Sequence, residues 1–190
     1  MLRGMWGYNP CGFPMKLFFR IGLVLVVAVF TGCSGKETCA RGDWCACKEN
    51  ATDCNQQCDG DGNGCRHFCY DKRHCVSSCG NECNYDCRDS TDCLANCGDS
   101  CTVNCNNSVS CGTSCGANCN YTCWATQSCT VKAGPGSMIS CADVKSCVVE
   151  CLGDCHVFCS DQVDHCEVSC PQGASPISCH DGMIACGSCQ

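Results

Sequence analysis

The chain has 190 residues, of which 32 are cysteine and only 12 are lysine or arginine. Its 19 acidic residues give a formal net charge of −7 at pH 7, which argues against nucleic acid as a partner. Cysteine at this frequency is typical of disulfide scaffolds, and disulfides persist in oxidising compartments outside the cytoplasm.

The segment over residues 15–32 is predicted to be a signal peptide. It begins with the basic side chains of Lys16 and Arg20 and continues with an apolar run over residues 21–30. This run is too short to span a bilayer comfortably, as is usual for a secretion signal. Residues 1–14 are interpreted as an upstream extension, because a signal peptide needs nothing ahead of its basic segment.

Small residues lead into a cysteine at the end of this segment. Thr31, Gly32 and Cys33 resemble the lipobox of bacterial lipoproteins, in which the cysteine is acylated after cleavage. The resemblance implies lipidation of Cys33, attachment to a membrane through the lipid, and export to the cell envelope. Ser34 is similar to the family's outer-membrane sorting signal, which favours the outer membrane or the cell surface. Phe30 stands where that family usually has leucine, and simple secretion is the alternative.

A short acidic loop lies near the start of the cysteine-rich region. Asp59, Asp61 and Asn63, followed by Gly64, match the opening of a calcium-binding loop, in which such side chains offer oxygen ligands. The bidentate glutamate expected at the twelfth position is replaced by Tyr70. A polar turn is therefore the favoured interpretation, with a weak calcium site as the alternative and no other cofactor expected.

A strict internal repeat dominates the rest of the chain. Residues 33–53 are predicted to form the anchor and an N-terminal cysteine-rich cap, and residues 54–190 the repeat domain. From Cys75 to Cys159 the cysteines follow C-x3-C-x3-C-x3-C-x5, so a new block begins every 18 residues. Because residues i, i+2 and i+4 of a strand share one face, each C-x-x-x-C pentad places its cysteines and its central residue, such as Tyr85, on the inside.

This repeat predicts an all-β fold, a disulfide-laddered β-solenoid with 18-residue coils. Helices are disfavoured because the positions between the cysteines carry Asn, Gly, Ser, Thr and Asp, which are poor in helix interiors and common in turns. Tandem disulfide-laddered hairpins are the alternative, although only stacked coils require a constant period. At the level of the fold, the pattern resembles the disulfide-crossed β-helices of insect antifreeze proteins.

One block lacks its second and third cysteines, which are replaced by Ala133 and Ser137. A paired loss leaves no partner stranded if the inner two cysteines of a block bond each other and the outer two do likewise. The nested scheme predicts Cys54 with Cys69, Cys58 with Cys65, Cys75 with Cys87, Cys79 with Cys83, Cys93 with Cys105, Cys97 with Cys101, Cys111 with Cys123, Cys115 with Cys119, Cys129 with Cys141, Cys147 with Cys159, Cys151 with Cys155 and Cys166 with Cys179. Cys170 is expected to bond Cys186 or Cys189, and the partners of Cys39, Cys45 and Cys47 are left open.

The pattern as a whole favours an exported, lipid-anchored, non-enzymatic protein with a structural or surface-adhesion role and an unidentified surface ligand. The alternative is a protein that binds metal through thiolates or through the acidic loop. Cysteine-rich metal proteins favour C-x-C and C-x2-C spacings, and these occur here only at Cys45 with Cys47 and at Cys186 with Cys189. The five histidines are scattered, and no catalytic residue is expected.

Overall fold

The computed structural model describes residues 35–180 and 182–189. The predicted extension, signal peptide and lipidation site at Cys33 lie outside the described residues. The described chain contains fifteen strands and one short 3-10 turn, Pro171–Gly173. The strands are β1 (Gly35–Cys39), β2 (Trp44–Ala46), β3 (Asp53–Cys58), β4 (Arg66–Tyr70), β5 (His74–Ser78), β6 (Asn84–Arg88), β7 (Asp92–Cys97), β8 (Thr102–Asn106), β9 (Ser110–Cys115), β10 (Asn120–Ala133), β11 (Ser137–Cys151), β12 (Cys155–Cys159), β13 (His165–Ser169), β14 (Ile177–Ser178) and β15 (Met183–Cys186).

The strands form two parallel stacks. The odd-numbered strands β1, β3, β5, β7 and β9 pair in that order, and the even-numbered strands β2, β4, β6 and β8 form the second stack. The long strands β10 and β11 each turn a corner and contribute to both stacks. The fold is a β-solenoid of about seven coils, so the predicted all-β solenoid is confirmed.

The coils stack in a register of one repeat. Tyr85 pairs with Val103 and Val103 pairs with Tyr121, and each step is 18 residues. These central side chains are at most 3% exposed, and the cysteines that flank them are buried as well. In the same coils the odd strands supply small central residues, among them Ser77 and Ala95. The core is therefore a thin column of sulfur, aromatic and small side chains, as the inward positions of the pentads predicted.

Two series of sharp corners close the coils. Asp71, Asp89, Asn107, Ala125 and Asp143, which stand 18 residues apart, all have a positive φ between 48° and 54°. They lie in the long corners, the five-residue links from the end of one coil to the start of the next. Asp and Asn adopt this left-handed conformation more readily than other side-chain-bearing residues. The polar residues of the repeat thus make the turns that a constant period needs.

Ala125 is the exception in this series, because alanine in the left-handed region costs roughly 1–2 kcal/mol. We expect Ala125→Asn to raise the free energy of unfolding by about 0.5–1 kcal/mol, measured by guanidinium unfolding. The equivalent Asn107 donates a side-chain hydrogen bond to Asp89 on the neighbouring coil. Ala142→Asn is the control, since Ala142 precedes the positive-φ residue Asp143. A gain of equal size in the control would contradict this explanation.

The tight corners, three residues long, are held by backbone contacts between coils. The amide of Gly98 donates to the carbonyl of Gly80 at 2.8 Å, and the amide of Gly116 donates to that of Gly98 at 3.0 Å. A Cβ atom on Gly98 would lie only 3.0 Å from the carbonyl carbon of Gly80. Glycine is required here because the coils approach closely, whereas the residue before the next cysteine, such as Ser100, carries the positive φ.

Side chains extend this ladder beside the tight corner. The amide oxygen of Asn63 accepts from the backbone of Asn81 at 2.6 Å, and that of Asn81 accepts from the backbone of Asp99 at 2.7 Å. Asp99 in turn accepts from the backbone of Ala117 at 2.7 Å. Each coil therefore satisfies a turn N–H of the next coil, and Ala117 ends this run because it has no acceptor.

The disulfides connect coils in a way that the nested scheme did not predict. Twelve bridges join described cysteines, with Cα atoms 5.5 to 6.6 Å apart, within the usual range. Six close the corner between one coil and the next: Cys69 with Cys75, Cys87 with Cys93, Cys105 with Cys111, Cys123 with Cys129, Cys141 with Cys147 and Cys159 with Cys166. The predicted outer pairs, from Cys54 with Cys69 through Cys147 with Cys159, are wrong.

The helical advance of the coil explains this correction. The second strand of a coil ends beside the start of the next coil, so Cys87 has a neighbour on either side along the axis. The sulfurs of Cys69, Cys75 and Cys87 lie within 4.8 Å of one another, yet Cys75 bonds backward to Cys69 and Cys87 forward to Cys93. The loss of two cysteines at Ala133 and Ser137 strands no partner in either scheme and could not distinguish them.

The remaining bridges lie at the inner positions and at the two ends. The inner pairs Cys58 with Cys65 and Cys151 with Cys155 are bonded as predicted. The ends are closed by Cys39 with Cys45, Cys47 with Cys54, Cys170 with Cys186 and Cys179 with Cys189. Cys170 has one of its two expected partners, and the predicted bond between Cys166 and Cys179 is wrong because Cys166 continues the corner series. So many disulfides indicate an extracellular or otherwise oxidising environment.

Removing one corner bridge tests the observed pairing. Cys105→Ala with Cys111→Ser should lower the free energy of unfolding by about 2 kcal/mol, the entropy of a closed loop of this length. Cys115→Ala with Cys119→Ser is the matched control. It removes no bridge, copies the residues at Ala133 and Ser137, and should cost clearly less by guanidinium unfolding without reductant. Equal losses in the two variants would show that the control pair is bonded as well.

Candidate functional site: a column of six thiols

Six described cysteines carry free thiols, and all six belong to one side of the solenoid. They occupy the second and third cysteine positions of three consecutive coils, on either side of the tight corner. Cys79 and Cys97 are half-buried and the other four are buried. We call this set the thiol column: Cys79, Cys83, Cys97, Cys101, Cys115 and Cys119. The inner bonds predicted between Cys79 and Cys83, Cys97 and Cys101, and Cys115 and Cys119 are therefore absent.

The repeat itself builds this column. In each coil a strand ends at or beside one cysteine, a glycine-led triplet turns the chain, and a second cysteine follows. Because the coils pair in register, Cys97 on β7 stands directly beside Cys115 on β9. Parallel strands lie about 4.8 Å apart, so sulfurs at one corner meet sulfurs of the coils above and below.

Sulfur contacts run between coils as well as within them. The sulfurs of Cys79, Cys83 and Cys101 lie within 4.8 Å of one another, although Cys101 belongs to the next coil. The backbone amide of Cys83 donates to the sulfur of Cys101 at 3.4 Å. The thiols of Cys83 and Cys101 both donate to the carbonyl of Gly80, at 3.4 and 3.3 Å. The two thiols thus share one backbone acceptor at the corner.

Hydrogen bonds among the thiols separate their pKa values. Contacts with the Cys101 thiol are the largest cause that lowers the pKa of Cys83 to about 3, that of Cys97 to about 5 and that of Cys119 to about 3. The pKa of Cys101 is itself raised, first by its hydrogen bond with Cys119. The pKa of Cys115 is also raised, first by Cys119. Neighbouring thiols of the column therefore differ in how readily they lose a proton.

The thiol column has a defined boundary at each end. At the lower end lies the bonded pair Cys58 with Cys65. The buried His67 lies beside this pair, with one ring nitrogen within 4.8 Å of both sulfurs. At the upper end Ala133 and Ser137 replace the next two cysteines. The Ser137 hydroxyl accepts from the backbone amide of Cys119 at 3.1 Å. The next coil carries the bonded pair Cys151 with Cys155. The six free thiols therefore lie between two bonded pairs.

His67 is a buried polar side chain beside this lower boundary. It is 2% exposed, and its Nδ1 atom lies 2.6 Å from the Ser77 hydroxyl. Its Nε2 atom has no hydrogen-bond partner among the described residues. Burial lowers the pKa of His67, so the ring is neutral at pH 7. It can offer a nitrogen lone pair or an N–H to the lower end of the column.

The side chains of the acidic loop accept hydrogen bonds within the turn and from the next coil. The Asp59 carboxylate accepts from the amide of Gly60 at 2.8 Å, and Asp61 accepts from the amide of Asn63 at 3.1 Å, which lowers the Asp61 pKa. Asn63 supports the next coil through its side-chain oxygen. These contacts are those of a polar turn, and calcium binding by Asp59, Asp61 and Asn63 stays a prediction.

The sequence carried no signal that would have found the thiol column. Its cysteines share the C-x3-C spacing of Cys151 and Cys155, which are bonded. Only the contacts between coils separate the two cases, and those depend on register and on the helical advance. The paired absence at Ala133 and Ser137 marks the upper boundary of the column, but it does not show the state of the cysteines below it.

No protein-family model matches the chain, and no curated protein or solved structure matches it significantly. Among the described residues, no helix has the length and apolar character needed to cross a membrane. The solenoid resembles disulfide-crossed β-helices in its architecture, as the repeat predicted.

Thiol reactivity should differ between two cysteines that are neighbours in register. On folded, metal-free protein at pH 7, iodoacetamide should alkylate Cys97 before Cys115. Cys97 is half-buried with its pKa lowered to about 5, whereas Cys115 is buried with its pKa raised, and the thiolate is the reactive form. A time course read by peptide mass spectrometry measures both sites. Equal rates, or no alkylation of either residue after denaturation, would contradict the described column.

Proposed function

We propose that this protein is an exported, non-enzymatic structural or surface-adhesion protein of a cell envelope, anchored by lipid at Cys33. The observation that carries the proposal is the series of six bridges, one at every long corner from Cys69 to Cys166. Such a series needs an oxidant during folding and persists outside the cytoplasm. It also makes a stiff element, because each bridge ties one coil to the next.

The outer faces of the solenoid support a role in display. In-register pairing turns each outward position into a row along the axis, such as Asn84, Thr102 and Asn120. Towards the C-terminal end, Met138 and Phe158 on the same stack are 55% and 39% exposed. Rows of polar side chains that also include exposed apolar ones suit contact with a surface ligand.

The net charge is in keeping with this setting. If cleavage removes residues 1–32, the 12 basic residues lose Arg3, Lys16 and Arg20, so 12 − 3 = 9 basic residues face 19 acidic ones. The exported chain then carries a net charge of 9 − 19 = −10. A charge of this size keeps a protein with a thin apolar core soluble and discourages association between copies.

The bacterial and outer-membrane parts of the proposal rest on the lipobox resemblance at Thr31, Gly32 and Cys33. Secretion without lipid is the competing possibility for the anchor. The two differ in one chemical property, the presence of a fatty acid on the exported chain, and this can be measured directly.

In a bacterial host, metabolic labelling with a clickable fatty-acid analogue should mark the wild-type protein and not Cys33→Ala. The labelled wild type should sediment with membranes, whereas Cys33→Ala, which carries no lipid, should not. Cys11→Ala is the matched control, because Cys11 precedes the predicted cleavage point and its loss should leave labelling unchanged. Label retained on Cys33→Ala would overturn the anchor and leave simple secretion.

A further inference from the structure

We infer that the thiol column is a binding site for a soft, thiophilic cation such as Cu(I), Zn(II) or Cd(II), held first by the sulfurs of Cys79, Cys83 and Cys101. This activity goes beyond the proposed envelope role and does not depend on it.

The sulfur geometry carries the inference. Two thiolates on one ion at a metal–sulfur distance of about 2.3 Å lie at most about 4.6 Å apart. Cys79, Cys83 and Cys101 have sulfurs within 4.8 Å of one another, so small side-chain rotations bring all three onto one ion. Three sulfur ligands are the number that a low-coordinate thiolate site uses, and here they come from two coils.

The contacts between coils favour a metal over a bridge. A disulfide at a tight corner engages two sulfurs of one coil, as at Cys151 with Cys155. In the column, Cys101 contacts Cys79 and Cys83 below it as well as Cys119 above it. A sulfur placed among several others can bridge neighbouring ions, so the remaining thiols Cys97, Cys115 and Cys119 can extend the first site along the axis.

The surroundings suit a cation. Glu82 and Asp99 lie in the tight corners beside the column, and Asp61 lies on the coil below. Arg41 offsets part of this charge, with nitrogen atoms 3.8 Å from Asp61 and 3.8 Å from Glu82. Asp99 makes no ion pair among the described residues, and its carboxylate lies at the tight corner, where it accepts from the backbone of Ala117. Local negative potential raises the concentration of cations near such a corner.

The chemistry needs no other reactant. Each sulfur that is protonated before binding releases its proton to solvent, a thiolate binds directly, and no electron is transferred. Soft sulfur ligands select Cu(I) and Zn(II) over hard cations such as Ca²⁺ and Mg²⁺. In an oxidising compartment, coordination also protects adjacent thiolates from forming disulfides, because a sulfur bound to metal is a poorer nucleophile for exchange.

The test uses the full exported protein, purified without reductant under anaerobic conditions. It is exposed separately to Cd(II), Zn(II) and Cu(I) supplied as its acetonitrile complex, then passed through a desalting column. Elemental mass spectrometry measures the bound metal per chain, and Cd(II)–thiolate absorbance shows whether sulfur is the ligand. We expect at least one tightly held ion per wild-type chain, and none retained when Ca²⁺ is the probe.

Matched variants locate the site. Cys79→Ala with Cys83→Ser should lower retained Cd(II) by about half or more, because it removes two of the three closest sulfurs. Cys151→Ala with Cys155→Ser alters the same corner positions beyond Ala133 and Ser137 and should leave retained metal unchanged. If the first variant fails to fold, Cys101→Ser takes its place, because it removes the one close sulfur that comes from the next coil.

Three results would overturn the inference. The wild type could retain no soft cation although its six thiols are free, or Cys79→Ala with Cys83→Ser could retain as much Cd(II) as the wild type. Peptide mapping of the native protein could also find Cys79 bonded to Cys83, Cys97 to Cys101 and Cys115 to Cys119, with no thiols after denaturation. None of these outcomes would affect the lipid anchor, which has its own readout.

Discussion

The parallel register of the coils is the constraint on which the rest of the structure depends. Because a residue pairs with the one 18 positions later, any chemical choice made at one position of the repeat becomes a column along the axis. The columns here are corner sulfurs, central residues such as Tyr85 and Tyr121, and turn residues in the left-handed region. In each column the residues of one coil contact the equivalent residues of the next coil, so the protein does not need a wide apolar core.

Covalent bonds supply what this narrow core lacks. A corner bridge closes a loop of six residues and contributes about 2 kcal/mol by restricting the unfolded chain. A buried branched side chain contributes a similar amount by leaving water. In a coil whose inward residues are mostly cysteine, the corner bridge from Cys105 to Cys111 stands in for one or two apolar side chains. It also holds the register between neighbouring coils.

Much of this architecture could be predicted from periodicity. The alternation of inward and outward residues, the solenoid and the burial of the pentad cysteines all follow from strand geometry applied to an 18-residue repeat. The bonding could not be predicted, because Cys87 has Cys75 on one side and Cys93 on the other. Sequence spacing orders the cysteines along the chain, but the helical advance decides which neighbour each one meets. The thiol column was missed for the same reason.

The long corners and the tight corners differ in whether they depend on disulfide bonds. Every long corner between Cys69 and Cys166 is bridged, whereas the tight corner at Ala133 and Ser137 carries no sulfur at all and keeps the register. Its backbone contacts are sufficient: the Gly134 amide donates to the Gly116 carbonyl at 3.0 Å, as in the coils below. Cysteines at the tight corner are therefore not required to hold the coil together. Sulfur that is free of a structural task is available for chemistry, and three successive coils place six such sulfurs in one column.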